Sequence, residues 1–161
     1  MENKLVEMLD QLFTLNEILI ESLKVEHEHL ITNNIEGLKG INVTQLELSD
    51  QIKKIELARI ELVKAIAKKH QLKKEDIKLD DLFEMMDEEM VGRLNEKREQ
   101  LKVVLAKIMR LRELNNRLIK KILDFNDQNI RLLIDLGNRS LTYNDQGDIN
   151  ESRKRLLDSV V

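Results

Sequence analysis

Few residues in this chain have the types and spacing that chemistry needs. Glu26 and His29 stand three apart, so on a helix a carboxylate and an imidazole share one face, as in di-iron bundles. Such a site takes a second Glu-x-x-His and two further carboxylates. The other histidines, His27 and His70, do not complete it, and the pair reads as a solvated polar patch. Ser22, Ser49, Ser140, Ser152 and Ser159 do not lie in a strand-turn-helix elbow, so no serine is set up as a nucleophile. No glycine-rich loop is present to cradle a phosphate. The chain has no cysteine, which removes disulfides, thiol nucleophiles and cysteine-based zinc sites. These residues point away from an enzyme and imply no cofactor and no metal.

More informative are polar residues set within apolar patterns. Asn115 and Asn129 fall at seam positions of a heptad. Polar residues there cost stability and set register or partner number. Two readings are open: a core asparagine with its hydrogen bonds made inside the protein, or a seam open to a partner helix. Met85, Met86 and Met90 cluster beside Phe83. Flexible thioethers suit a surface that accepts varied apolar partners, and they equally fill gaps in a bundle core. The run Arg153-Lys154-Arg155 lies between Glu151 and Asp158 and reads as part of a solvated tail. With a net charge of −3, the chain lacks the clustered positive surface that gripping nucleic acid requires.

Long helices must position these residues. The 161 residues include no Pro, five Gly, three Phe, one Tyr and no Trp, and 35% are charged. Without proline, nothing removes a helical N–H or clashes with the preceding turn. Leu5, Met8, Leu12, Leu15 and Leu19 fall at alternating three- and four-residue steps, which predicts a first helix over about 3–32. A break falls at Thr32-Asn33-Asn34, where Asn33 and Glu36 have the spacing of a capping box. A second helix runs from there to about Lys69, with Leu38, Ile41, Leu48, Ile52, Ile55, Leu62 and Ile66 in heptad register, interrupted by Gln45 and Arg59. Gly37 and Gly40 weaken its start. The stretch 70–80 loses the period and reads as a loop, with Asp80 positioned to cap the last helix. Leu82 to Met86 has room for its own turn of helix.

The last helix has the strongest signal. One seam reads Leu94, Leu101, Ile108, Asn115, Ile122, Asn129 and Leu136; the other reads Lys97, Val104, Leu111, Leu118, Phe125 and Leu132. The register holds for 43 residues, roughly 64 Å at the helical rise. Leu105, Ile119 and Leu133 broaden the apolar face, which suits a helix packed against two others. Gly137 is placed to end the helix. The expected fold is all-α: an antiparallel bundle of three long helices, coiled-coil-like, forming a domain over 1–137, with a flexible C-terminal tail over 138–161. The first residues lack the continuous apolar stretch of a signal peptide, and no segment approaches a membrane span. Together with the lack of cysteine this suits the cytoplasm.

Four pieces of the chain resemble the FlgN family of flagellar export chaperones. LITNNIEGL (30–38) is similar to the family's helix junction. IELARIEL (55–62) is similar to its glutamate-x-x-arginine segment, with Glu56 and Arg59. LNNRLIKKIL (114–123) resembles its asparagine-rich turn followed by paired aliphatics. LTYNDQG (141–147) resembles its terminal tyrosine followed by glycine four residues on. The two glycines early in the second helix depart from the pattern. The resemblance implies a cytoplasmic type III export chaperone that binds hook-associated proteins of the hook–filament junction through their C-terminal amphipathic segments. It would prevent premature assembly and deliver them to the export gate. Carried over by position, the partner-binding residues would be Asn115, Leu118, Ile119, Ile122, Leu123, Phe125 and Asn126, with Tyr143 contacting the gate. The alternative is a coiled-coil scaffold or homo-oligomer without cargo, its seam satisfied by self-association; a homodimer is compatible with either reading.

Overall fold

A computed structural model describes residues 1–72 and 77–140. The described residues form α1 (Glu2–Ile31), α2 (Ile35–Lys69), α3 (Asp80–Phe83) and α4 (Glu88–Ser140), and no strand. The fold is all-α as expected, with four helices in place of three. The addition is α3, a single turn within the Met- and Phe-rich connection.

The junction between α1 and α2 is a tight reversal built from local hydrogen bonds. Asn33 adopts a left-handed φ of 51°. Its N–H donates to the Leu30 carbonyl, and the Asn34 N–H donates to the His29 carbonyl. That 5→2 and 6→1 pair closes the helix with a left-handed residue, where asparagine is tolerated. Asn34, not Asn33, then caps α2: its Oδ1 accepts from the Gly37 N–H at 2.9 Å. The α2 C-terminus repeats the closure. Gln71 is left-handed (φ 58°), and Leu72 N–H reaches back to the Ala67 carbonyl. Both Leu72 and Ala67 join the apolar core, the contact that usually accompanies this motif.

Asp80 does not cap the last helix, as its position had suggested; it pairs with Arg98. The cap of α4 is Asp87, whose Oδ1 accepts from Met90 N–H at 2.7 Å, with Glu88 and Glu89 favourably placed in the positive first turn. Gly137 does not end α4, which continues to Ser140. With no proline nearby, one glycine costs the helix only about 1 kcal/mol and does not break it.

The chain divides into two compact units, Met1–Ile119 and Lys120–Val161. In the first, Leu5, Val6, Leu9 and Leu12 of α1 pack against Val63, Ile66 and Ala67 near the end of α2, so these helices are antiparallel. Met90 and Leu94 of α4 join that cluster, roofed by Leu82 of α3. A second cluster joins Leu19, Ile20 and Leu23 of α1 to Leu48 of α2 and to Val104 and Ile108 of α4. α4 therefore runs parallel to α1 here, in an up-down-up arrangement. Each fully buried leucine or isoleucine contributes about 1.5–3 kcal/mol. Lys97, polar at a seam position, reaches Asp10 at 2.7 Å and so leaves the core seam intact.

In the second unit the described residues are helix, from Lys120 to Ser140. At 100° per residue, Ile122, Leu123, Phe125, Ile130, Leu132, Leu133, Ile134 and Leu136 fall within an arc of about 200°. Lys120, Lys121, Asp124, Asp127, Gln128, Arg131 and Asp135 fill the opposite side.

Candidate partner-binding faces

The heptad places Asn115 on the buried side of α4 in the first unit, where it is 2% exposed. Its Nδ2 donates to the Leu23 carbonyl and to Glu26 Oε2, each at 2.9 Å. Its Oδ1 lies 2.9 Å from His27 Nδ1. The two acceptors fix the amide orientation, because a flipped Oδ1 would face a carbonyl and a carboxylate. Oδ1 must then accept, and His27 Nδ1 must carry the proton. Gln45 of α2 also donates to Glu26 Oε2, at 3.2 Å. One polar knot thus ties all three long helices. Of the two readings of Asn115, the internally hydrogen-bonded core residue is the one observed. Its polar atoms are committed within the unit and do not face a partner.

Glu26 enters this knot and not a metal site. Among the described residues no group of three His, Cys, Asp or Glu side chains is arranged to hold a metal ion. His29, its sequence partner, instead packs over Gly37 and lies 3.3 Å from Asn34 Nδ2.

Leu118 and Ile119 are half-buried in the first unit. In the second, Ile122 is half-buried, while Leu123, Phe125 and Asn126 are exposed, Phe125 by 62%. Asn129, the second seam asparagine, is half-buried there. Tyr143 lies outside the described residues. Leu132, Leu133, Ile134 and Leu136 are also exposed and extend the face beyond the residues singled out from sequence. Their signal was present in the seam, but periodicity marks an apolar face without saying whether anything covers it.

A second surface was not legible from sequence. In the first unit a groove runs between α2 and α4 with α1 as its floor. Near one end it is lined by Leu9, Leu12, Asn16, Ile60, Leu101 and Leu105. Further along, Leu23, Leu46, Ser49, Arg112 and Asn116 line it. Glu56 and Arg59 of α2 also border it, joined by two hydrogen bonds, Nε to Oε2 at 2.9 Å and Nη2 to Oε1 at 2.5 Å. The paired, partly buried guanidinium holds the Glu56 carboxyl below the usual glutamate range, chiefly by hydrogen bonding, and Arg59 is correspondingly raised. The Arg59 interruption of the heptad is thus a fixed, charge-assisted pair.

An all-α bundle closed inside by a polar knot, with broad apolar helix faces left outside, defines a helical protein suited to binding other chains. The sequence model of the FlgN protein family matches residues 1–151, and the chain belongs to that family. The FlgN family is one of flagellar export chaperones. Neither a curated protein nor a solved structure matches the chain. Among the described residues no helix is long and apolar enough to cross a membrane.

Proposed function

We propose that this protein is a cytoplasmic type III export chaperone for hook-associated proteins, binding their C-terminal amphipathic segments and delivering them to the export gate. The observation that carries the reading is the exposed apolar arc of α4 from Ile122 to Leu136. A solvated helix gains nothing from eight large apolar residues on one side, and such a face is a standard receptor for an amphipathic helix. Leu123, Phe125 and Asn126 form its exposed entry, and Ile122 its half-buried edge; Leu118 and Ile119 belong to the same proposed set. Tyr143, in a tail that we assign to 138–161 beyond a bundle domain over 1–137, serves the gate. A cargo disordered before assembly pays an ordering cost on binding, so its affinity is moderate and its release easy.

The test is calorimetric titration of the whole protein with purified C-terminal segments of hook-associated proteins. Saturable binding near one to one, with a negative heat-capacity change, is the expected result. Replacing Leu123 and Phe125 together by Asp should weaken it by about a hundredfold, or roughly 2.7 kcal/mol, while helical circular dichroism stays unchanged. Normal binding by that variant would remove the face from the site. The same seam, with Asn129 in it, also suits self-pairing as a homodimer without cargo. Concentration-dependent sedimentation together with no cargo binding would favour that scaffold reading.

A further inference from the structure

The groove between α2 and α4 in the first unit is a separate surface from the proposed cargo face. Three helices packed on one another leave one concave side, and here α1 and α2 form the close pair. From Leu46 to Lys64 the α2 wall runs for 18 residue steps, about 27 Å, the length of a five-turn helix. Its floor is apolar, from Leu9 and Leu12. Its walls expose large apolar side chains that nothing in the unit covers: Leu46 on α2, and Leu105 and Met109 one turn apart on α4. Asn16, 5% exposed, lies in the floor. Its Nδ2 is used by the Leu12 carbonyl, while its Oδ1 accepts no hydrogen bond from the described residues.

The charge of the lining is opposite to that of the chain. Arg59, Lys64, Lys78, Arg98, Lys102 and Arg112 line the groove against Glu26, Glu56 and Asp80, in a protein whose net charge is −3. Lys78 and Arg112 have no carboxylate within ion-pair distance among the described residues. Lys64 and Lys102 are held only by exposed neighbours on their own helices, Glu61 and Glu99. Such pairs are worth little and exchange readily for a better-placed carboxylate.

We propose that this groove is a second docking site, taking one amphipathic helix of another protein that has an apolar face flanked by acidic residues. The apolar face would lie on the α1 floor against Leu105 and Leu46. Its carboxylates would meet Lys78, Lys102 and Arg112 on the walls, and a side-chain donor would reach Asn16 Oδ1. The site is independent of the cargo reading, since none of its residues belongs to the face from Ile122 to Leu136.

The probe is a fluorescein-labelled 20-residue designed peptide with leucines on one helical face and glutamates flanking them, titrated into the whole protein. Matched peptides have lysine flanks, or serine in place of leucine. The Glu-flanked peptide should bind saturably, and both controls about tenfold more weakly or not at all, with the preference falling as salt is raised. Reversing Lys102 and Arg112 together to Glu, at exposed positions that carry no core packing, should switch the preference to the Lys-flanked peptide. A saturating hook-associated C-terminal segment should leave the labelled peptide bound. Equal binding of the Glu- and Lys-flanked peptides, an unchanged preference in the reversed variant, displacement by the cargo segment, or no binding of any peptide would each overturn the proposal.

Discussion

Asn115 shows how one side chain settles what a seam position does. It joins the Leu23 carbonyl, Glu26 and His27, and through Glu26 it reaches Gln45 on α2. Its replacement by Ala leaves a buried carbonyl and a partly buried carboxylate short of a donor. The expected cost is about 1–3 kcal/mol, read as a lower urea midpoint with helical dichroism retained in the native state. A midpoint unchanged from the parent would mean that water replaces the amide without loss. The Glu56–Arg59 pair makes a prediction in pH. Glu56 is depressed in the folded protein, so its contribution is present above the ordinary glutamate range and is lost as pH falls through the folded value. Stability of the parent and of Glu56→Gln should therefore differ at neutral pH and converge on acidification. With Glu56 still 42% exposed, solvent screening keeps the difference small. A gap that widened in acid would contradict the assignment.

At the scale of the helix, glycine position matters more than glycine count. Both Gly37 and Gly40 lie in the first turns of α2, yet their surroundings differ. A Cβ at Gly40 meets nothing within 4 Å, whereas one at Gly37 would fall 2.5 Å from Cε1 of His29. Gly40→Ala should gain up to about 1 kcal/mol from helix propensity, raising the thermal midpoint. Gly37→Ala must displace the imidazole, and should gain less or lose stability. Equal gains from the two variants would show that the His29 ring moves aside freely. The junction was legible as a break at Thr32–Asn34, since asparagines there suit turns and caps. Which asparagine caps and which turns left-handed was not, because Asn33 and Asn34 are equally suited to both roles and the hydrogen-bond closure of α1 decides between them.

At the scale of the whole molecule, the described core lies in the first unit, where Leu94 is fully buried among residues of α1, α2 and α3. Leu94→Ala should cost about 2–5 kcal/mol, measured by chemical denaturation. A cost under about 1 kcal/mol would mean that the cluster collapses around the gap.

The amino-acid sequence by itself determined the helices. Their existence, breaks and apolar stripes come from absent proline, from three- and four-residue steps and from asparagine at the reversal, all of which act between near neighbours. The tertiary structure decided what covers each stripe. One heptad runs through Leu94, Ile108, Ile122 and Leu136, but Leu94 and Ile108 are buried, whereas Leu136 is 61% exposed. Asn115 closes a polar knot, and α2 and α4 hold a basic groove between them, for the same reason. Burial depends on which side chains arrive from distant parts of the chain, and a period along one helix carries no record of them.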